Sequence, residues 1–96
     1  MIELATGDAR LRIAPKGAEP VDWRIGDTQL FWTPDPAVWP QVAPILFPVV
    51  GWTRNGQARH RGVAYPLGLH GFAAARPFRV VENDATSARL RLLPDD

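Results

Sequence analysis

His70, one of two histidines in the chain, stands between glycines in the stretch PLGLHGFAAARPF, residues 66–78. Histidine is the side chain whose charge changes near neutral pH, so it is suited to proton transfer. Gly68 and Gly71 would allow a ligand to approach the backbone closely, because glycine carries no side chain. A histidine that is hydrogen-bonded within a loop for structural reasons would produce the same pattern. The residues alone therefore leave both roles open.

Trp52 and Arg54 are the next candidates for ligand contact. Trp52 follows Gly51 near a predicted turn at Asn55-Gly56, where a side chain can reach the rim of a sheet. Its flat, apolar indole could stack on the C–H face of a sugar ring, with core packing as the alternative. Arg54 lies two residues further on and would share the face of Trp52 in an extended strand.

Asn55-Gly56 is a strong hairpin signal, and four basic residues lie around it: Arg54, Arg59, His60 and Arg61. This basic group fits the solvated face of a hairpin better than a nucleic-acid site, because no aromatic residue is interleaved and the net charge is only +1. His60 and His70 lie ten residues apart without a nearby acidic cluster, so we expect no metal site.

Composition sets the class of protein. The 96 residues suffice for one small domain, and the hydrophobic fraction of 46% argues against a disordered chain. The absence of cysteine excludes disulfides and thiolate metal sites. No signal-peptide pattern or membrane-length apolar run is present, so we expect a cytoplasmic protein without a membrane partner.

Ten prolines and eight glycines interrupt the chain too often for a long helix, so we predict an all-β fold without a helix longer than two turns. Period-two alternation and turn residues predict about seven or eight short antiparallel strands. The predicted segments are 2–4, 9–14, 21–25, 29–32, 45–53, two short strands after Asn55-Gly56, 78–82 and 88–93, with an ordered loop over 33–44 that includes one helical turn.

The chain has many large apolar side chains for its length, including four tryptophans and four phenylalanines. We expect Trp23, Trp32 and Trp39 to pack in the core, and Leu90 and Leu92 to point inward. A sheet needs a second layer over its apolar face, and no helix is available to supply it. We therefore expect either a part of a larger sandwich or a homo-oligomer.

Three features carry a family resemblance: Gly17-Ala18-Glu19, the run W-x-x-x-A-P-x-L-F-P-V-V-G from Trp39 to Gly51, and His70-Gly71-Phe72-Ala73. In this order and spacing they resemble the N-terminal part of the aldose 1-epimerase family, the galactose mutarotases and their bacterial relatives. The resemblance implies an antiparallel β-sandwich of the galactose mutarotase type, of which residues 1–96 form a single domain or the N-terminal strands.

The resemblance also implies an activity: interconversion of the anomers of a free or phosphorylated aldose, without a cofactor. A base removes the proton of the anomeric hydroxyl while an acid protonates the ring oxygen, and the roles reverse after rotation. His70 resembles the family's first active-site histidine, which is catalytic and bonds the sugar near its ring oxygen. Phe72 would pack beneath it, and Trp52 and Arg54 would contact the sugar.

The chain departs from the family's pattern at several positions. Trp52 stands where relatives often carry a sugar-binding arginine, for which Arg54 is a possible substitute, and Ala74 interrupts the H-G-F-A-R motif, leaving Arg76 as the nearest arginine. The family's second histidine and catalytic glutamate are not among these residues, and Glu82 does not match that base.

We therefore expect a truncated or shortened isomerase that does not anomerise sugars appreciably by itself. A non-catalytic carbohydrate-binding or assembly module is the alternative, and a small nucleic-acid-binding β-barrel is a third possibility.

Overall fold

The computed structural model describes residues 1–94 and is all-β, as predicted. Its eight strands in this range are β1 (Ile2–Thr6), β2 (Ala9–Ala14), β3 (Glu19–Ile25), β4 (Thr28–Gln29), β5 (Gln57–His60), β6 (Val63–Pro66), β7 (Arg79–Asn83) and β8 (Ala88–Arg91). The helical segments of the described residues are two three-residue 3₁₀ turns, Arg54–Gly56 and Ala73–Ala75, which confirms the expected absence of long helices. None of the described residues lies in a helix of the length and apolarity that crossing a bilayer requires.

Strands β1 to β4 form an antiparallel meander in sequence order. Leu11 on β2 lies opposite Leu4 on β1 and Trp23 on β3, so one face of this sheet is apolar. The strand predicted over 29–32 is shorter than expected and ends at Gln29. Beyond it the chain leaves the sheet, and Phe31 packs edge-on against Trp23 with ring centroids 5.8 Å apart.

Two further hairpins follow, β5–β6 and β7–β8. The Asn55-Gly56 turn forms as its sequence suggests, with φ of 58° and 63° and a backbone bond from Gln57 N–H to the Arg54 carbonyl. It does not join two paired strands, so the hairpin prediction was wrong at this position. The connection between β5 and β6 is Arg61-Gly62, whose φ values of 51° and 78° suit a tight two-residue turn.

The segment 45–53 is not a strand, contrary to the prediction from its apolar run. Pro48 has no N–H for a strand ladder, and the Phe47–Pro48 peptide bond is cis. The segment bonds irregularly to residues 70–73 instead: Phe47 N–H donates to the His70 carbonyl, and the N–H groups of Phe72 and Ala73 donate to the Phe47 carbonyl. Loop 33–44 contains a turn from Asp35 to Trp39 closed by backbone bonds.

The described residues form a thin slab with little core. Ile2, Leu67 and Ala73 are the buried hydrophobic residues in this range. The radius of gyration is 16.1 Å, against about 12.5 Å for a compact domain of this length. Leu90 and Leu92 are half-buried. The expectation of core tryptophans was wrong: Trp23, Trp32 and Trp39 remain 39–43% exposed. Trp32 and Trp39 lie outside the strands and, within residues 1–94, stack only on each other, with ring centroids 6.1 Å apart.

Candidate functional site

His70 lies in a loop whose backbone is held by Gly51. His70 N–H donates to the Gly51 carbonyl at 2.8 Å, and Gly51 N–H donates to His70 Nδ1, also at 2.8 Å. His70 has a positive φ of 59°. A non-glycine residue in this left-handed region is uncommon, and such residues concentrate at functional sites. The reciprocal pair therefore fixes both the backbone and the imidazole of His70.

The bond to Nδ1 determines which ring nitrogen carries the proton. Because Nδ1 accepts the Gly51 N–H, it has no proton of its own, and in the neutral ring the proton lies on Nε2. Within residues 1–94 Nε2 has no hydrogen-bond partner. His70 thus presents one fixed N–H donor and is not free to turn its Nδ1 toward a ligand.

Gly71 allows the backbone of Phe47 to lie close to the residue that follows His70. Its φ is 73°, and a β-carbon on it would overlap the backbone carbonyl of Phe47. The close approach allows Phe47 and Gly71 to form an isolated parallel bridge. The glycine after His70 is therefore required by packing as well as by conformation.

His70 lines a groove of about 590 Å³ together with Lys16, Glu19, Gln41 and Leu69. Glu19 Oε2 accepts two backbone N–H bonds from the loop at 42–43, and this carboxylate therefore shapes the groove wall. Lys16 also lines the groove and supplies a positive charge. The groove thus combines one imidazole donor with a carboxylate and an ammonium group.

Phe72 lies two residues beyond His70 along the chain. Its ring packs at 90° against Phe47, with centroids 6.3 Å apart, and the Arg76 guanidinium carbon lies 5.1 Å from its ring centroid. It lines a second cavity with Phe47, Arg76 and Leu92. Phe72 and His70 therefore share the support of Phe47 but border different cavities.

Trp52 and Arg54 both point outward from the turn that follows Gly51. Trp52 is 70% exposed and Arg54 is exposed, whereas Thr53 between them has extended backbone and is half-buried. Arg54 lines a third groove with Asn55, Gln57 and Arg59. Three of the four predicted site residues, His70, Phe72 and Arg54, therefore line three separate grooves, and Trp52 is exposed next to Gly51.

Sequence reasoning noted Glu19 only as part of a motif and assigned it no role. Its partners lie 23 residues along the chain, so no local spacing could indicate the contact. The same holds for Gly51 and His70, which are 19 residues apart. Lys16 also carried no signal beyond its charge.

Comparisons with known proteins give a consistent picture, although no family model matches the chain. The plasmid protein LacX of Lactococcus lactis subsp. lactis is 35% identical, over 70% of this chain and 24% of its own length. A galactose mutarotase-related enzyme from Lactobacillus acidophilus is 31% identical, with a TM-score of 0.89 over 98% of this chain and 32% of that one. A galactose mutarotase-like protein from Lactobacillus casei is 30% identical, with a TM-score of 0.86 over 94% of this chain and 31% of that one.

The chain therefore spans about a quarter of the length of the curated relative and about a third of the two solved structures. The all-β antiparallel arrangement and the ordered sequence features agree with this match. The chain is similar in sequence and fold to the N-terminal portion of galactose mutarotase-related proteins.

Proposed function

We propose that this chain carries part of a carbohydrate site of the aldose 1-epimerase type, at which the anomers of a free or phosphorylated aldose interconvert. The observation that supports it most directly is the bond from Gly51 N–H to His70 Nδ1, which leaves Nε2–H as a fixed donor. Such a donor suits the ring oxygen of a pyranose, which becomes more basic as the ring opens.

In this proposal His70 donates from Nε2 toward the ring oxygen and favours the ring-opened state. Trp52 offers its exposed indole to the C–H face of the sugar, and Arg54 donates to hydroxyl groups. Phe72 stiffens the loop through its contact with Phe47. The base that removes the anomeric proton has no counterpart in this proposal among residues 1–94, so the chain supplies binding and one donor.

The alternative is a carbohydrate-binding module without catalysis. The feature that favours it is Trp52, which is 70% exposed beside the His70 loop and can stack on a sugar without any acid–base group. Both hypotheses require sugar binding, and they differ in whether the anomers interconvert faster.

The test combines binding with polarimetry on freshly dissolved glucose and galactose. We expect the wild-type chain to bind sugar, His70→Ala to lose at least tenfold in affinity, and the matched control His60→Ala to bind normally. We expect mutarotation near the buffer rate, because a general acid or base contributes about 10²–10⁴-fold and the base is missing. Mutarotation well above the buffer rate that disappears in His70→Ala would mean that a base is supplied locally. Absence of binding to any sugar at millimolar concentration would overturn the proposal.

A further inference from the structure

Trp32 and Trp39 form a stacked pair of indoles outside the strands. Their ring centroids are 6.1 Å apart and their planes differ by 16°. The two residues nevertheless remain 39% and 43% exposed, so much of the ring surface that they do not use for each other is accessible. The pair therefore presents flat apolar rings at the surface of the described chain.

Hydrogen bonds fix this pair in place. The Trp32 indole N–H donates to the Gln41 carbonyl at 2.9 Å. The Asp35 carbonyl accepts the backbone N–H groups of Val38 and Trp39 at 2.9 and 2.7 Å, which closes the turn that carries Trp39. A ligand would therefore meet rings that are already ordered, which lowers the entropic cost of binding.

Polar atoms accompany the apolar rings. Within residues 1–94 the indole N–H of Trp39 has no hydrogen-bond partner. Asp35, whose backbone bridges to Trp39, is exposed, and its Oδ1 accepts the Ala37 N–H at 2.9 Å. A carboxylate can accept several hydrogen bonds, so Asp35 retains accepting capacity. An apolar partner that covered the pair would leave these polar atoms unpaired, whereas a sugar offers both a C–H face and hydroxyl groups.

The pair adjoins the groove that His70 lines. Pro40, the residue after Trp39, and Gln41 both line that groove. Gln41 is also the residue whose carbonyl holds Trp32. Two peptide units place the α-carbons of Trp39 and Gln41 at most about 7 Å apart. A ligand that extends from His70 along the groove toward Gln41 would therefore next meet the indole pair.

We propose that Trp32 and Trp39 form a stacking subsite for a second pyranose ring, so that the aldose taken at His70 is the reducing end of a disaccharide or longer oligosaccharide. The inference rests on the function proposed above. An indole face matches the C–H face of a pyranose, and the unpaired Trp39 N–H and the Asp35 carboxylate suit its hydroxyl groups. In that function Trp52 contacts the aldose itself, so the two aromatic sites serve different rings.

The chemistry of the reaction limits how the second ring is attached. The anomeric hydroxyl must be free to lose its proton, so an aldose that is linked through its anomeric carbon cannot react. The second ring must therefore be joined to another hydroxyl of the aldose. An aromatic glycoside could stack on the same indoles, but its anomeric carbon is blocked. A reducing oligosaccharide satisfies both the stacking surface and the reaction.

The test is isothermal titration of the full chain with glucose, maltose, cellobiose, lactose and trehalose. We expect at least one of the three reducing disaccharides, maltose, cellobiose or lactose, to bind at least tenfold more tightly than glucose. Trehalose is also a disaccharide but joins its two rings through both anomeric carbons, so it should bind no more tightly than glucose.

Trp39→Ala should abolish the preference for the disaccharide over glucose. Trp39→Phe keeps an aromatic ring and should keep part of that preference, which makes the test decisive even where the alanine variant does not fold. Val38→Ala is the matched control, because Val38 lies in the same turn, is 76% exposed and does not belong to the stacked pair. Trp52→Ala should weaken the binding of glucose and of the disaccharide alike and leave their ratio unchanged.

Equal affinity for glucose and all three reducing disaccharides would overturn the subsite while leaving the proposed function intact. Trehalose binding as tightly as the preferred disaccharide would also overturn it, because the site would then not require a reducing end. A preference that survives in Trp39→Ala would overturn it as well, since the second ring would then bind elsewhere. Failure to bind any sugar would defeat the proposed function, and the inference with it.

Discussion

Glu19 and Val42 are joined across 23 residues by a 2.6 Å hydrogen bond from the Val42 backbone N–H to Glu19 Oε2. The same oxygen accepts the N–H of Ala43 at 3.2 Å. Both bonds are partly buried and hold residues 42–43 against the first residue of β3, beside the groove that His70 lines. One side chain therefore ties the first sheet to the wall of the candidate site.

Glu19→Ala should lower the free energy of unfolding by about 2 kcal/mol, because two partly buried N–H groups lose a charged acceptor. Glu19→Gln should lower it less, since an amide oxygen can still accept. Glu3→Ala is the control: Glu3 pairs with Arg12 on the exposed surface, where a pair contributes about 0–1 kcal/mol. Urea denaturation followed by tryptophan fluorescence measures all three. Equal losses for Glu19→Ala and Glu3→Ala would contradict this role.

The imidazole of His70 should exist as the Nε2–H tautomer. The reason is the 2.8 Å bond that Nδ1 accepts from Gly51 N–H. Two-dimensional ¹H–¹⁵N correlation of the imidazole nitrogens at neutral pH distinguishes the tautomers, and His60 on exposed β5 provides an internal comparison. A protonated Nδ1 in the neutral ring would mean that Gly51 does not orient His70.

Gly71→Ala should be far more disruptive than Gly62→Ala, although both glycines have positive φ. An alanine in the left-handed region costs about 1–2 kcal/mol at either position. At Gly71 the new β-carbon would also overlap the Phe47 carbonyl, whereas at Gly62 nothing lies within 4 Å. We expect Gly62→Ala to fold with a modest loss of stability and Gly71→Ala to lose several kcal/mol or fail to fold. Similar free energies of unfolding for the two variants in denaturant would show that the Phe47 backbone shifts at little cost to accommodate the new β-carbon.

Asp84 should make the β7–β8 turn less stable in acid. The largest contribution to the lowered pKa of this carboxyl is the hydrogen bond from the Thr86 backbone N–H. Hydrogen bonds from the Ser87 side chain and backbone N–H, and then from the Thr86 side chain, lower the pKa further. A lowered pKa in the folded state means that the stabilisation is present above the ordinary Asp value of about 3.9 and is lost as the pH falls through the folded value.

The comparison variant is Asp84→Asn, which keeps an acceptor but cannot titrate. We expect wild type to be the more stable at neutral pH and the difference to narrow progressively as the pH falls below the ordinary Asp value of about 3.9. Urea midpoints at several pH values measure it. A difference that stays constant with pH would show that the charge of Asp84 contributes nothing to the turn.

The local patterns of the sequence were sufficient for most of the strands. The alternation of apolar and polar residues predicted β2, β3 and the β7–β8 hairpin, because successive side chains of a half-buried strand point to opposite faces. The same reasoning failed for segment 45–53, where Pro48 removes a ladder donor and the chain bonds irregularly to residues 70–73. It also misread Asn55-Gly56, since a turn motif specifies φ values but not whether its flanks pair.

The candidate site was less predictable for a different reason. His70 could be selected from its residue type and glycine neighbours, but its orientation depends on Gly51, 19 residues away. Arg54 and Arg59 line the same groove on either side of the Asn55-Gly56 turn, which the sequence predicted as the turn of a hairpin. Contacts between distant segments leave no periodic trace, so one sequence cannot reveal them.

The apolar face of the first sheet leads to a final prediction about assembly. Trp23 and Ile25 are two residues apart on β3 and share a face, where they are 42% and 43% exposed. Leu4 and Leu11 continue that face across β1 and β2 in register with Trp23. Leaving such side chains in water forgoes about 1.5–3 kcal/mol for each one that could be fully buried. A second copy could cover this face about a twofold axis, because the same patch then meets itself.

We therefore expect a reversible homodimer at micromolar concentration, measured by sedimentation equilibrium. Ile25→Lys should weaken it at least tenfold, because the interface would have to bury an ammonium group without a partner. Asp27→Asn is the matched control, since it raises the net charge by the same single unit from the β3–β4 turn rather than from the apolar face. Equal dissociation constants for the two variants would place the interface elsewhere. A monomer at all concentrations, with a single sharp unfolding transition, would mean that the chain tolerates this face in water.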